Sequence, residues 1–234
     1  MPAVTHPRVA AARAGRPSGW WARAWLRAVE EAAYGEDDLR RGRALARAGQ
    51  VGAVTVDAGG FVAAVTEDGE AWTVSGAVDT WDATSVGMLV EVVATRSGRI
   101  GALLAGDLPL GLVEDAEEAG VELVPYAGEL GATCTCRAWV DPCRHALATL
   151  VVLARLVDGD PLVLFHLRGL DREDLLARLH RRTSPTGGAG SEEPEEGRDP
   201  AAEADLDTGV DAALRAARLL ELVDRGDPAV DHLL

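Results

Sequence analysis

The sequence contains no lysine: all 23 of its positive charges are arginine. A Walker-type phosphate loop, Schiff-base chemistry and a lysine general base are therefore excluded. Equally absent are a G-x-S-x-G nucleophile elbow, an H-E-x-x-H helix and a G-x-G-x-x-G loop opening a helix after a strand. No apolar run approaches the roughly 18 to 20 residues that a membrane-spanning helix needs, and the longest, ALATLVVLARLV, is interrupted by Arg155. There is no apolar h-region of a secretory signal either. Cysteine is scarce, and all three lie between positions 134 and 143, too few and too crowded for a secreted disulfide framework. A soluble protein of the reducing cytoplasm is the expectation.

The net charge of −15 is unevenly spread. Residues 1–50 carry nine Arg against five acids, and 51–130 carry two against fourteen. Residues 131–182 return to eight against six, and 183–234 fall to four against thirteen. The basic excess thus sits at the N-terminus and around the cysteines. Such a balance disfavours strong non-specific nucleic-acid binding, which normally shows a clear basic stripe.

Residues 1–18 read as a flexible basic arm. GWWARAWLRAVEEAAYG then sets Trp21, Trp25, Ala28 and Val29 at helical spacing, and DDLRRGRALARAG reads as a second helix closed by Gly49. Trp20, Trp21 and Trp25 beside Arg23 and Arg27 fit either a core helix or a base-stacking surface, and apolar residues at this spacing usually face a core. AVTVDAGGFVAAVTEDGEAWTVSGAV alternates around two turn signals and predicts a three-stranded meander. Helices follow from an Asp82 cap, around Ile100 to Ala105, and over GLVEDAEEAG, an acidic stretch read as a solvated face. After the cysteines come an apolar helix ending near Gly159 and another, DREDLLARLHRR, capped by Asp171. Residues 183–205, rich in Pro, Gly, Ser and Glu, read as a disordered acidic linker. Residues 206–234 read as an amphipathic C-terminal helix.

The pattern Cys134-x-Cys136-x6-Cys143-x-His145 supplies three thiolates and an imidazole. That is the ligand set of a closed tetrahedral structural zinc site, one ion per chain, with no position left for a catalytic water. The alternative is three buried small hydrophobes and a capping histidine. Small residues around Cys134 allow the backbone to bend both sulfurs to one point. Pro142 fixes the chain before Cys143, where a helix starts and its dipole favours thiolate. Trp139 reads as packing over the ligands. His6, His166, His180 and His232 are scattered without partners at ligand spacing and read as surface or satisfied histidines.

C-x-C-x6-C-x-H followed by an apolar helix resembles the SWIM zinc finger, with Trp139, Pro142 and the basic Arg144 matching the motif. GWWARAWL, the meander and DPLVLFHLRGLDREDLLARL resemble stand-alone SWIM proteins of actinobacteria, so that the resemblance covers about residues 19–182. Thr135 and Arg137-Ala138 depart from the usual motif. The resemblance implies binding of protein or DNA, no catalysis, and a bacterial partner of the Swi/Snf-type helicase-like ATPase class.

The expected architecture is α+β: N-terminal helices, a small antiparallel meander, further helices, and a zinc-stapled β-hairpin plus helix at about 121–158 within a 19–182 core. The expected function is a zinc-binding, non-enzymatic interaction module acting with nucleic-acid-handling machinery. The alternative is direct DNA or RNA binding, with Arg137, Arg144, Arg168 and Arg172 as phosphate contacts.

Overall fold

The computed structural model of the chain describes residues 1–11 and 17–183. Its class is α+β. Strand β1 is Val4–His6, followed by helices α1 (Trp20–Ala32) and α2 (Glu36–Arg47). The meander is β2 (Val51–Asp57), β3 (Gly60–Glu67) and β4 (Glu70–Ala77). Helices α3 (Ala83–Ala94), α4 (Ser97–Leu104) and α5 (Leu110–Glu118) lead to β5 (Gly131–Cys134). Helices α6 (Arg144–Gly159), α7 (Leu162–Leu167) and α8 (Arg172–Thr183) complete the described part. The linker expected over 183–205, beyond Thr183, and the helix expected over 206–234 lie outside the described residues.

One antiparallel sheet runs in the order β1-β2-β3-β4-β5. Alternation sends Phe61, Ala63 and Val65 of β3 inward. On β2 the register shifts between Val51 and Val54, a bulge that buries both although they are three residues apart. The β3–β4 turn is Asp68-Gly69, both with positive φ, the pairing a tight two-residue hairpin demands.

The central element is α6. Leu147, Leu150, Leu153 and Val157 are fully buried along with the alanines between them, as befits a helix apolar nearly all round. It packs on the sheet and against both α1 and α2. Gly42 is the contact point on α2: a Cβ there would stand 2.9 Å from both the Arg144 carbonyl oxygen and Leu147 Cβ. On α1, Trp21 and Trp25 are buried and donate their indole N–H groups to the carbonyls of Val157 and Leu150. They are core residues, which removes them as a base-stacking surface. The start of α1 has no local cap. Asp158 of α6 accepts from the backbone N–H groups of Ser18 and Gly19 instead.

Two expectations need correction. The flexible arm of residues 1–18 contains β1, whose Val4, Thr5 and His6 pair with Val56, Thr55 and Val54 of β2. Three residues are too few for alternation to declare a strand. The strand entering the cysteines does not fold back on itself as a hairpin: β5 pairs with β4, Cys134 opposite Val74, and an irregular loop over 135–143 then leads into α6. The remote partner satisfies the same backbone groups that a local second strand would have used.

Candidate metal centre

Four ligand atoms converge from two elements and the loop between them. Cys134 ends β5, Cys136 lies two residues on, Cys143 is the N-cap of α6, and His145 is in its first turn. The Asp141–Pro142 peptide is cis. Pairing of β5 with β4 fixes the first sulfur against the sheet, and the burial of α6 fixes the last two ligands against the core. The Cys136 N–H points back to Cys134 Sγ at 3.5 Å, which bends the C-x-C segment around the site.

All four ligand atoms lie within 4.8 Å of one another. Cys136 Sγ and Cys143 Sγ are 3.5 Å apart, and Cys134 Sγ is 3.7 Å from His145 Nδ1. A zinc tetrahedron with ~2.3 Å bonds to sulfur sets its sulfurs about 3.8 Å apart. The donor set and its spacing therefore fit one structural zinc. Burial pushes the Cys134 thiol up to about 12, with Cys143 and Cys136 adding to the rise against a backbone N–H from Cys136. The Cys143 thiol is also pushed up by burial, against the pull of backbone N–H groups of Ala146 and His145. Without a cation these thiols hold their protons; a zinc ion would displace them.

The imidazole is held from behind. His145 is 1% exposed, and its Nε2 lies 3.0 Å from Glu67 Oε2 at the end of β3. With Nδ1 turned toward the sulfurs, Nε2 carries the proton and donates it to the carboxylate, the usual outer partner of a metal-bound histidine. Arg144 Nε donates to the same oxygen at 2.8 Å. Burial pulls the Glu67 carboxyl upward, but the bonds from Arg144 and His145 outweigh it and leave the group below its ordinary value. Trp72, on β4, stacks on the His145 ring with centroids 4.4 Å apart. The tip of the β3–β4 hairpin thus forms the second layer of the centre.

Sequence reasoning missed Glu67 and Trp72. The signal was weak: Glu67 immediately precedes the Asp68-Gly69 turn, but nothing in the spacing joins it to a histidine 78 positions later. Trp139, expected over the ligands, is 84% exposed and touches Tyr34 instead. Trp72 occupies the place assigned to it.

The four arginines do not converge. Arg168 is 3% exposed, with both terminal nitrogens on Glu129 and one also on the Asp79 carbonyl, so it is a buried structural pair and no phosphate contact. Arg144 is committed to Glu67. Arg137 and Arg172 are exposed. Within the acidic stretch read as a solvated face, Asp115 is engaged by the buried Arg99. His166 is buried, and its Nε2 has no hydrogen-bond partner among the described residues.

No helix among the described residues is long and apolar enough to cross a membrane. Residues 115–153 match the SWIM zinc finger family, beginning and ending a few residues before the expected 121–158. The uncharacterized protein Rv2102 of Mycobacterium tuberculosis is 32% identical over 163 residues, 68% of this chain. The chain spans 58% of that relative's length. No solved structure matches the chain. The chain thus carries a SWIM zinc finger over residues 115–153, in which Cys134, Cys136, Cys143 and His145 form the site for one structural zinc.

Proposed function

We propose that the protein is a non-enzymatic interaction module whose zinc shapes a binding surface, and that it acts with nucleic-acid-handling machinery through a protein partner of the Swi/Snf-type helicase-like ATPase class. The observation that carries the reading is the closed ligand set. Four protein donors fill a zinc tetrahedron and leave no position for a water or substrate, so the ion's role is to tie β5 to α6. The three thiolates need a reducing compartment, which makes the cytoplasm part of this reading. The partner class comes from the family resemblance.

Direct DNA or RNA binding ranks second. Its support is the exposure of Arg137 and Arg172. Against it stand the burial of Arg168 and the engagement of Arg144.

Affinity capture of the intact protein, with and without nuclease and with and without zinc chelation, tests the choice. A nuclease-resistant ATPase partner lost on chelation is the expected result. Capture that nuclease abolishes, together with a DNA complex whose affinity falls steeply with salt, would replace the first reading by the second.

A further inference from the structure

Tyr34 and Trp139 meet edge to face with ring centroids 5.5 Å apart, yet they are 74% and 84% exposed. One comes from the α1–α2 connection and the other from the finger loop between Cys136 and Cys143. Each leaves most of its apolar surface in water, so core burial does not account for the pair. Exposed Trp and Tyr beside Arg is the residue mixture in which binding energy concentrates at protein interfaces.

A groove of about 820 Å³ opens at the metal centre, lined by the ligands Cys136 and His145 together with Glu70, Ala71, Arg137 and Ala138, the last of which immediately precedes Trp139 in the finger loop. It begins where β5 stops. Pairing of β4 with β5 runs from Ala77 opposite Gly131 to Val74 opposite Cys134, and the Thr135 N–H extends it to the Thr73 carbonyl. Glu70 to Trp72 of β4 have no β5 partner. Since Thr73 faces β5, Ala71 two residues earlier turns its N–H and C=O the same way, toward the groove.

The charges around the pair favour one kind of occupant. Glu36, Asp37 and Asp38 form the first turn of α2 directly after Tyr34, exposed Asp141 follows Trp139, and Glu70 lies at the groove. With Arg40 paired to Asp37 and Arg144 to Glu67, the acids Glu36, Asp38, Asp141 and Glu70 outnumber the exposed Arg41 and Arg137. This balance repels a phosphodiester chain and attracts a basic peptide.

We infer that this surface is the docking site for an extended protein segment bearing arginine or lysine, which adds its main chain beside Ala71 and lays one cation against the Tyr34–Trp139 rings. The inference rests on the reading of the chain as a protein-interaction module and names the surface and the partner's chemistry.

The test uses the full, zinc-loaded chain and three labelled probes: an extended peptide alternating arginine and threonine, its glutamate counterpart, and oligothymidylate. Fluorescence anisotropy should show the arginine peptide bound more tightly than the other two. Trp139→Ala and Tyr34→Ala should each weaken it about tenfold, while the control Glu117→Gln/Glu118→Gln on α5, which removes acidic charge outside the patch, changes it less than about twofold. Trp139 is exposed, so zinc content and melting temperature should stay unchanged in its variant. Equal affinity for Trp139→Ala and wild type would overturn the site, as would tighter, Trp139-dependent binding of oligothymidylate. A zinc-dependent, nuclease-resistant partner captured equally well by Trp139→Ala would sink the surface alone; absence of any such partner would sink the module reading itself.

Discussion

Replacing Glu67 by glutamine tests the second layer of the metal centre without changing its shape. The Glu67 carboxylate accepts from His145 Nε2 at 3.0 Å and from Arg144 Nε at 2.8 Å, both through Oε2, with the side chain 20% exposed. Glutamine can keep a carbonyl oxygen at the Oε2 position but carries no charge, so both bonds lose their charge assistance. Loss of such an outer partner typically costs ~10- to 100-fold in metal affinity, or about 1.4–2.7 kcal/mol. The ion pair with Arg144 is partly solvated, and its own loss contributes at most about 1 kcal/mol to the metal-free fold. Zinc competition against a chromophoric chelator at neutral pH should therefore show a 10- to 100-fold weaker site, while metal-free Glu67→Gln melts close to metal-free wild type. Nitrogen-detected NMR of the zinc-loaded wild type should show the His145 proton on Nε2. An unchanged zinc affinity in Glu67→Gln, or a proton on Nδ1, refutes the reasoning.

Zinc removal or Cys143→Ser should lower the melting temperature, because the metal ties β5 and the finger loop to α6; coincident melting curves with verified zinc loss would make the finger dispensable to the fold. Zinc binding near pH 7 should release about two or more protons, from the raised thiols of Cys134 and Cys143, and calorimetry in buffers of differing ionisation heat measures the number; release of none contradicts a buried thiol set. The depressed Glu67 carboxyl stabilises the fold above its unfolded value of 4.5, and this contribution disappears as pH falls through the lower folded value. Urea titrations from pH 6 to 3 should accordingly lose part of their acid slope in Glu67→Gln, and identical slopes would count against the linkage. Gly42→Ala meets backbone and Leu147 at 2.9 Å and should destabilise by about 1–2 kcal/mol despite a better helix propensity. Gly87→Ala, on α3 with nothing within 4 Å, should stabilise by ~0.5–1 kcal/mol; the reverse order in chemical denaturation would show that α2 and α6 approach less closely.

The meander, the capped helix after Asp82 and the helix capped by Asp171 were legible because each rests on local chemistry. Ser85 N–H to Asp82 Oδ1 and Asp174 N–H to Asp171 Oδ1, both 2.7 Å, are the predicted caps. The ligand set was legible for the same reason: all four residues fall within a dozen positions. What stayed hidden depends on long-range pairing. β5 joins β4 across nearly sixty positions, and Glu67 and Trp72 reach His145 only because the sheet folds against α6. The roles of Trp139 and Arg168 were misassigned because spacing along the chain does not reveal which side of a loop faces solvent. Trp139 is turned out to Tyr34, whereas Arg168 is turned in to Glu129.

Zinc X-ray absorption on the purified full chain tests the central claim most directly. One zinc per chain with three sulfur neighbours at ~2.3 Å and one nitrogen at ~2.0–2.1 Å is the result that Cys134, Cys136, Cys143 and His145 require. A shell with two sulfurs, or one that includes a water oxygen, would contradict the closed site and with it the view that the metal serves structure alone.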